Sequence, residues 1–318
     1  MFSMSIAVAI ILFVVGLIML FLGGEGLVRG ASRLARVLGI SPIVIGLTVV
    51  AFGTSAPEFV VGLIAALKGA SDVVLGNIIG SNISNIGLIL GIGAIISPLI
   101  IQIRIIKVEV PIMIALSLIL YGLAAWSLNL GLLQGVFLFG ALIAFTIYSY
   151  FGSKKEPKEV EEEFEEFVGS GNSVRKQVVF IVLGLVALII GARFVVDSAI
   201  FIARVVGISE LVISITAVAI GTSLPELSTT IIAAIRKEHD IIVGNIIGSN
   251  IFNIGILGVI SIIHPVTVDS ALLRFEFPVM IFFSILVLPL MITGKKVGRV
   301  EGISLLVLYA AFIFMVFR

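Results

Sequence analysis

The chain of 318 residues contains no cysteine, two histidines and one tryptophan, and only 12% of it is charged. Without cysteine there is no disulfide framework, no thiolate metal centre and no iron–sulfur cluster. His239 and His264 are too few and too far apart for a zinc or haem centre. A formal net charge of +1 leaves no electrostatic footprint for nucleic acid. Ordinary soluble domains carry about 25% charged residues, and here the charges that exist are unevenly spread. Residues 152–176 alone hold seven of the 19 acidic and five of the 20 basic residues. The remainder, 60% hydrophobic over the whole chain with a mean hydropathy of +1.30, cannot cover a water-facing sphere. Composition therefore excludes a soluble enzyme and predicts an all-α, polytopic membrane protein.

A membrane span needs roughly 20 largely apolar residues. Cutting the sequence at charge clusters and at Gly, Pro and Asn gives ten: 4–24, 43–67, 73–97, 108–127, 131–151, 177–197, 211–235, 241–262, 272–292 and 299–317. The first lacks a basic n-region and is longer than a signal-peptide core, so it is expected to stay uncleaved. None of these runs alternates apolar with polar residues, which argues for helices and against a barrel. With the N-terminus outside, fifteen Lys and Arg fall on the inner side and five on the outer. This split predicts both termini outside a cell membrane and the acidic 152–176 linker in the cytoplasm.

Residues 39–93 match residues 207–261 at a constant offset of 168. Gly53-Thr-Ser-Ala-Pro-Glu58 recurs as Gly221-Thr-Ser-Leu-Pro-Glu226, and Gly76–Ile83 recurs identically as Gly244–Ile251. Lys107-Val-Glu-Val-Pro111 is echoed by Arg274-Phe-Glu-Phe-Pro278. The chain thus reads as 1–151, a linker 152–176, and 177–318, with five spans in each copy. Five is odd, so the second copy enters the membrane from the opposite side. The expected architecture is ten transmembrane helices arranged as two inverted five-helix repeats, common among secondary transporters.

Outside the linker, Glu58 and Glu226 are the two acids read as lying deep within apolar spans. A charge at mid-membrane costs about 2.5–3.5 kcal/mol on insertion scales, and no Lys or Arg lies mid-span to offset it. A cation from outside the protein is the expected partner. Thr54 and Ser55 precede Glu58 by four and three residues, on one helix face. Pro57 deprives the Gly53 carbonyl of its helical donor and opens the turn, freeing carbonyls around Ala51–Gly53. Thr222, Ser223, Pro225 and Glu226 repeat the pattern. On the next spans Asn77, Ser81 and Asn85 form an i, i+4, i+8 stripe, mirrored by Asn245, Ser249 and Asn253. An all-oxygen set of this kind suits Ca²⁺, and also Na⁺ of nearly the same size.

Bland readings compete with this one. The prolines are also explained as kinks, and Asn77, Asn82, Asn245 and Asn250 as hydrogen bonds between helices. Glu25/Arg29 and Arg193/Asp197 are most simply ion pairs within one helix. The segment 221–225 falls short of a nucleophile elbow.

The paired GTSAPE/GTSLPE and GNIIGSN motifs resemble those of the cation/Ca²⁺ exchanger superfamily, and most of all its prokaryotic Na⁺/Ca²⁺ exchanger branch. The resemblance implies that Glu58 and Glu226 bind Ca²⁺ with help from Thr54 and Thr222. It implies flanking Na⁺ positions at Ser55, Ser223, Ser81, Ser249, Asn85 and the carbonyls of Ala51 and Ala219. Asn253 stands where some Na⁺/Ca²⁺ exchangers have Asp, so two site carboxylates remain. The implied function is Ca²⁺/Na⁺ antiport by alternating access. Ca²⁺/H⁺ antiport is the nearest alternative and a cation channel the more distant one. The expected partners are Ca²⁺, Na⁺ or H⁺, and the lipid bilayer. No cofactor and no protein partner are implied, and the chain is read as a monomer.

Overall fold

The structure is a computed structural model that describes residues 6–153, 173–205 and 221–316. Most of the 152–176 linker, and Ala219 among the site residues, lie outside the described residues. Helix α1 runs over Ile6–Leu38. The second predicted span is a pair, α2 at Pro42–Thr54 and α3 at Ala56–Leu67, meeting at a bend of 42°. Then follow α4 at Ser71–Ile96 and α5 at Ile105–Ser127, α6 at Leu132–Ser153 and α7 at Val174–Val205. The second half continues with α8 at Leu224–Ile235, α9 at His239–Ile263, α10 at Ser270–Lys295 and α11 at Arg299–Val316. Of the seventh predicted span, 211–235, only the part from Gly221 onward is described.

Two helices are longer than their predicted spans. The first extends well beyond residue 24, and its 33 residues correspond to about 50 Å at 1.5 Å per residue. Charge does not end it, because Glu25 is held by Arg29 at 2.5 Å and also by Arg236 from the turn after α8. The sixth likewise begins at Val174 and reaches Val205 instead of spanning 177–197.

Helices α4 and α9 are the innermost and are buried along most of their length, whereas α1 and α11 keep broad apolar surfaces open. That gradient is the reverse of a water-soluble bundle and fits a lipid-facing exterior. α1 and α7 pack against each other over most of their length. A Cβ on Gly23 would lie 2.8 Å from the Gly184 carbonyl oxygen, and one on Gly184 would lie 2.8 Å from that of Gly23. Gly16 and Gly191 stand in the same relation. Only glycine lets the two backbones approach so closely.

Two short antiparallel ribbons join the loops, a small addition to the expected all-α fold. Leu99–Ile100 pairs with Lys296–Val297, and Asn129–Leu130 with Val266–Thr267. At the repeat offset, each strand of one ribbon corresponds to a strand of the other. Each ribbon therefore joins one half to the other, and the two ribbons exchange when the halves are exchanged.

Candidate ion-binding site

Two helix beginnings form the site. Pro57 and Pro225 occupy the first turns of α3 and α8, where a missing N–H costs nothing. Glu58 and Glu226 lie in those same turns, so each carboxylate has the positive end of a helix dipole beside it. Both are 1% exposed. Among the described residues, neither forms a salt bridge with a Lys, Arg or His.

The hydrogen bonds cross from one copy to the other. Thr54 donates its hydroxyl to Asn245 Oδ1 at 3.1 Å, and Thr222, its counterpart, donates to Asn77 Oδ1 at 3.4 Å. Ser55 donates to Glu226 Oε1 at 3.5 Å. Within the first copy, Ser81 donates to Glu58 Oε1 at 3.3 Å and Asn77 Nδ2 to the Glu58 carbonyl at 3.0 Å. Thr54 and Ser55, expected to serve Glu58 on one helix face, direct their hydroxyl bonds to Asn245 and Glu226 of the other half, at a break in the helix at Ser55.

The lower parts of the two polar stripes behave differently. Eight residues along an α-helix rotate a side chain by about 80°, and a π-helical stretch at Asn85–Leu90 widens the turn there. Asn85 Nδ2 donates to Asn250 Oδ1 at 3.0 Å, and Asn253 Nδ2 donates to Asn82 Oδ1 at 3.0 Å. These two bonds are also counterparts under the repeat. They bear out interhelical bonding for Asn82 and Asn250. Asn77 and Asn245, read in the same way, also bond between helices, to Thr222 and the Glu58 backbone carbonyl and to Thr54, next to the two acids. Their signal in the sequence was position: each lies four residues before the site serine, Ser81 or Ser249.

Several buried oxygens at the site have no hydrogen-bond partner among the described residues, namely Glu58 Oε2, Glu226 Oε2, Ser223 Oγ, Ser249 Oγ and Asn253 Oδ1, as do hydroxyls elsewhere such as those of Ser198 and Ser261. What sets the site apart is that two of its five are carboxylate oxygens with no basic side chain of the described residues against them. Two carboxylate oxygens, two hydroxyls and one amide oxygen are donors of the kind a hard cation takes. The Ala51 carbonyl accepts the Ser55 N–H at 3.0 Å and the Thr54 hydroxyl at 3.5 Å.

The sequence did not single out Glu109, which is fully buried in α5. Arg104, five residues earlier, holds it at 2.7 Å, so this acid brings its own countercharge. Such pairing distinguishes a structural acid from Glu58 and Glu226.

Known proteins resemble the chain over most of its length. The model of the "Sodium/calcium exchanger protein" family matches residues 8–151 and 176–318. The chain is 35% identical over 350 residues to the sodium/calcium exchanger MaX1 of Methanosarcina acetivorans, covering 98% of this chain and 99% of that one. It is 37% identical over 283 residues to the inner membrane protein YrbG of Escherichia coli, with 86% of each covered. Among solved structures, the sodium-calcium exchanger NCX_Mj superposes with a TM-score of 0.84 at 33% identity, over 97% of this chain and 99% of that one. With nearly its whole length matched, the chain belongs to the sodium/calcium exchanger family of multi-pass membrane proteins.

Proposed function

We propose that this protein exchanges Ca²⁺ for Na⁺ across the membrane, with the ions held between α2–α3, α4, α8 and α9. The observation that carries the reading is the pair of fully buried glutamates, each with an oxygen that no described group satisfies. Glu58 and Glu226 take Ca²⁺, with Thr54 and Thr222 beside them. Ser55, Ser81, Ser223, Ser249, Asn85, Asn253 and the carbonyls of Ala51 and Ala219 serve the flanking Na⁺ positions. The interhelical bonds of Asn85 and Asn253 use their amide nitrogens, which leaves the amide oxygens for cations.

Charge arithmetic makes exchange obligatory. Two ionised glutamates neutralise one Ca²⁺ or accept two to three Na⁺. Empty, they would carry two negative charges through a low-dielectric barrier, at a cost far above that of either loaded form. Loaded forms therefore cross and the empty form does not.

The architecture proposed for this cycle is ten spans in two inverted repeats. The swapped ribbons and the crossed Thr–Asn and Asn–Asn bonds support a two-fold relation between the halves. In a cell membrane, the Lys and Arg distribution favours outer termini and a cytoplasmic linker. Ion flux in reconstituted vesicles tests the function: Ca²⁺ uptake is expected to follow an imposed Na⁺ gradient. Uptake driven by a pH gradient alone would replace Na⁺ by H⁺ as the counter-ion, and uptake with no counter-ion would replace the exchanger by a channel.

A further inference from the structure

We infer that the groove between the C-terminal end of α1 and the N-terminal end of α7 is a binding site for one anionic phospholipid. The groove comprises a cavity of about 370 Å³, whose walls include Leu22, Arg29, Arg33, Phe180 and Leu183. It continues into a second cavity of about 460 Å³ that shares Phe180 and Leu183 and reaches Arg175 and Lys176.

The register of the two helices arranges these residues by depth. Gly16 faces Gly191, Gly23 faces Gly184 and Gly30 faces Gln177, an antiparallel pairing that sets Arg29 level with residue 178 and Arg33 level with residue 174. Arg29, Arg33, Arg175 and Lys176 therefore occupy a band about 6 Å deep along the axis at 1.5 Å per residue. Leu22, Phe180 and Leu183 lie on the membrane-core side of that band. Cations above and an apolar slot below match a phosphodiester headgroup and its acyl chains. Glu25, which also borders the groove, is held by Arg236 and Arg29, so that cluster keeps a net positive charge.

The repeat supplies an internal control. At an offset of 168 the four basic residues correspond to Asp197, Phe201, Ala7 and Val8. The same helix pair thus carries the cationic band at one membrane face only. The general bias of Lys and Arg towards the cytoplasmic face accounts for the sign of that asymmetry, and the groove gathers four of these charges beside one apolar slot.

The test is lipid binding by the full chain, purified in detergent and titrated with phosphatidylglycerol or phosphatidylcholine, with bound lipid read by native mass spectrometry. The wild type is expected to prefer phosphatidylglycerol by about fivefold or more, and Arg33→Gln/Lys176→Gln to lose most of that preference. Arg193→Gln, at the opposite end of the pair, is expected to leave it unchanged. Equal binding of the two lipids by the wild type would overturn the proposal. So would an undiminished preference in the double variant, or an equal loss in Arg193→Gln, which would indicate net charge and no site. Should the double variant fail to fold, Phe180→Trp in a Trp126→Phe background decides. Brominated phosphatidylglycerol is expected to quench its fluorescence more than brominated phosphatidylcholine, and equal quenching would overturn the site.

Discussion

Arg236, in the turn after α8, grips Glu25 in the middle of α1 through two guanidinium nitrogens, with Nε 2.6 Å from Oε2. Beside this contact Ser228 of α8 donates to the Leu20 carbonyl at 2.8 Å. The edge helix α1 is thereby fastened to the helix that carries Glu226. A bidentate, partly buried pair is stronger than a surface one. Glu25→Gln is expected to destabilise the protein by about 1–2 kcal/mol. Arg193→Gln, which breaks an exposed pair with Asp197 at 3.6 Å, is expected to cost less than about 0.5 kcal/mol. Thermal unfolding of both variants in one detergent checks the contrast, and equal losses would demote Glu25 to a pair within its own helix.

Glu58→Gln and Glu226→Gln are each expected to abolish Ca²⁺ transport in a folded protein. Each removes one of two charges that balance a divalent ion, and loss of one partner from a buried ionic contact costs about 3 kcal/mol or more, which is over about 100-fold in affinity. Removing either acid also relieves an unneutralised buried charge, so the melting temperature without Ca²⁺ is expected to hold or rise. Near-normal Ca²⁺ uptake by either variant would mean that the ion binds elsewhere.

Much of the molecule was legible because duplication leaves an exact record: a constant offset of 168 identifies equivalent residues without any coordinates. Glu58 and Glu226 were legible because a buried acid is costly and so demands an explanation. The exchange of hydroxyls between halves was not, since it depends on a backbone break at Ser55 that redirects Thr54 and Ser55. Asn77 and Asn82 are the same residue type on one helix, and only packing decides that one meets Thr222 and the Glu58 backbone carbonyl while the other meets Asn253. The length of α1 was hidden for a related reason. A charge such as Glu25 reads as the end of a span until its partner from a distant turn is known.

The orientation of the chain is testable with single cysteines, since the native sequence has none. Ser173, exposed at the start of α7, is expected on the cytoplasmic side. Ser173→Cys should resist a membrane-impermeant maleimide in intact cells and react once they are opened. Labelling in sealed cells would invert the topology, and would set the lipid groove in the outer leaflet.

Asn253 bears on stoichiometry. Its amide nitrogen is committed to Asn82, and its Oδ1 is one of the oxygens left without a described partner. It offers a cation an oxygen but no charge. With two ionised glutamates the site totals zero with Ca²⁺, zero with two Na⁺ and +1 with three. The charge count favours two and the family resemblance favours three. We expect three, so Na⁺-driven Ca²⁺ uptake should respond to a clamped membrane potential, and an indifferent rate would establish two. Asn253→Asp supplies a third acid at mid-membrane and removes the donor to Asn82. Its ionised form must hold another cation, and its neutral form is reached by taking up a proton. Protonation then competes with ion loading, and the variant's uptake should depend on pH more steeply than that of the wild type. Uptake measured across pH, with and without the clamp, separates the two effects. An unchanged pH profile in Asn253→Asp would show that this side chain faces the helix seam and not the path of the ions.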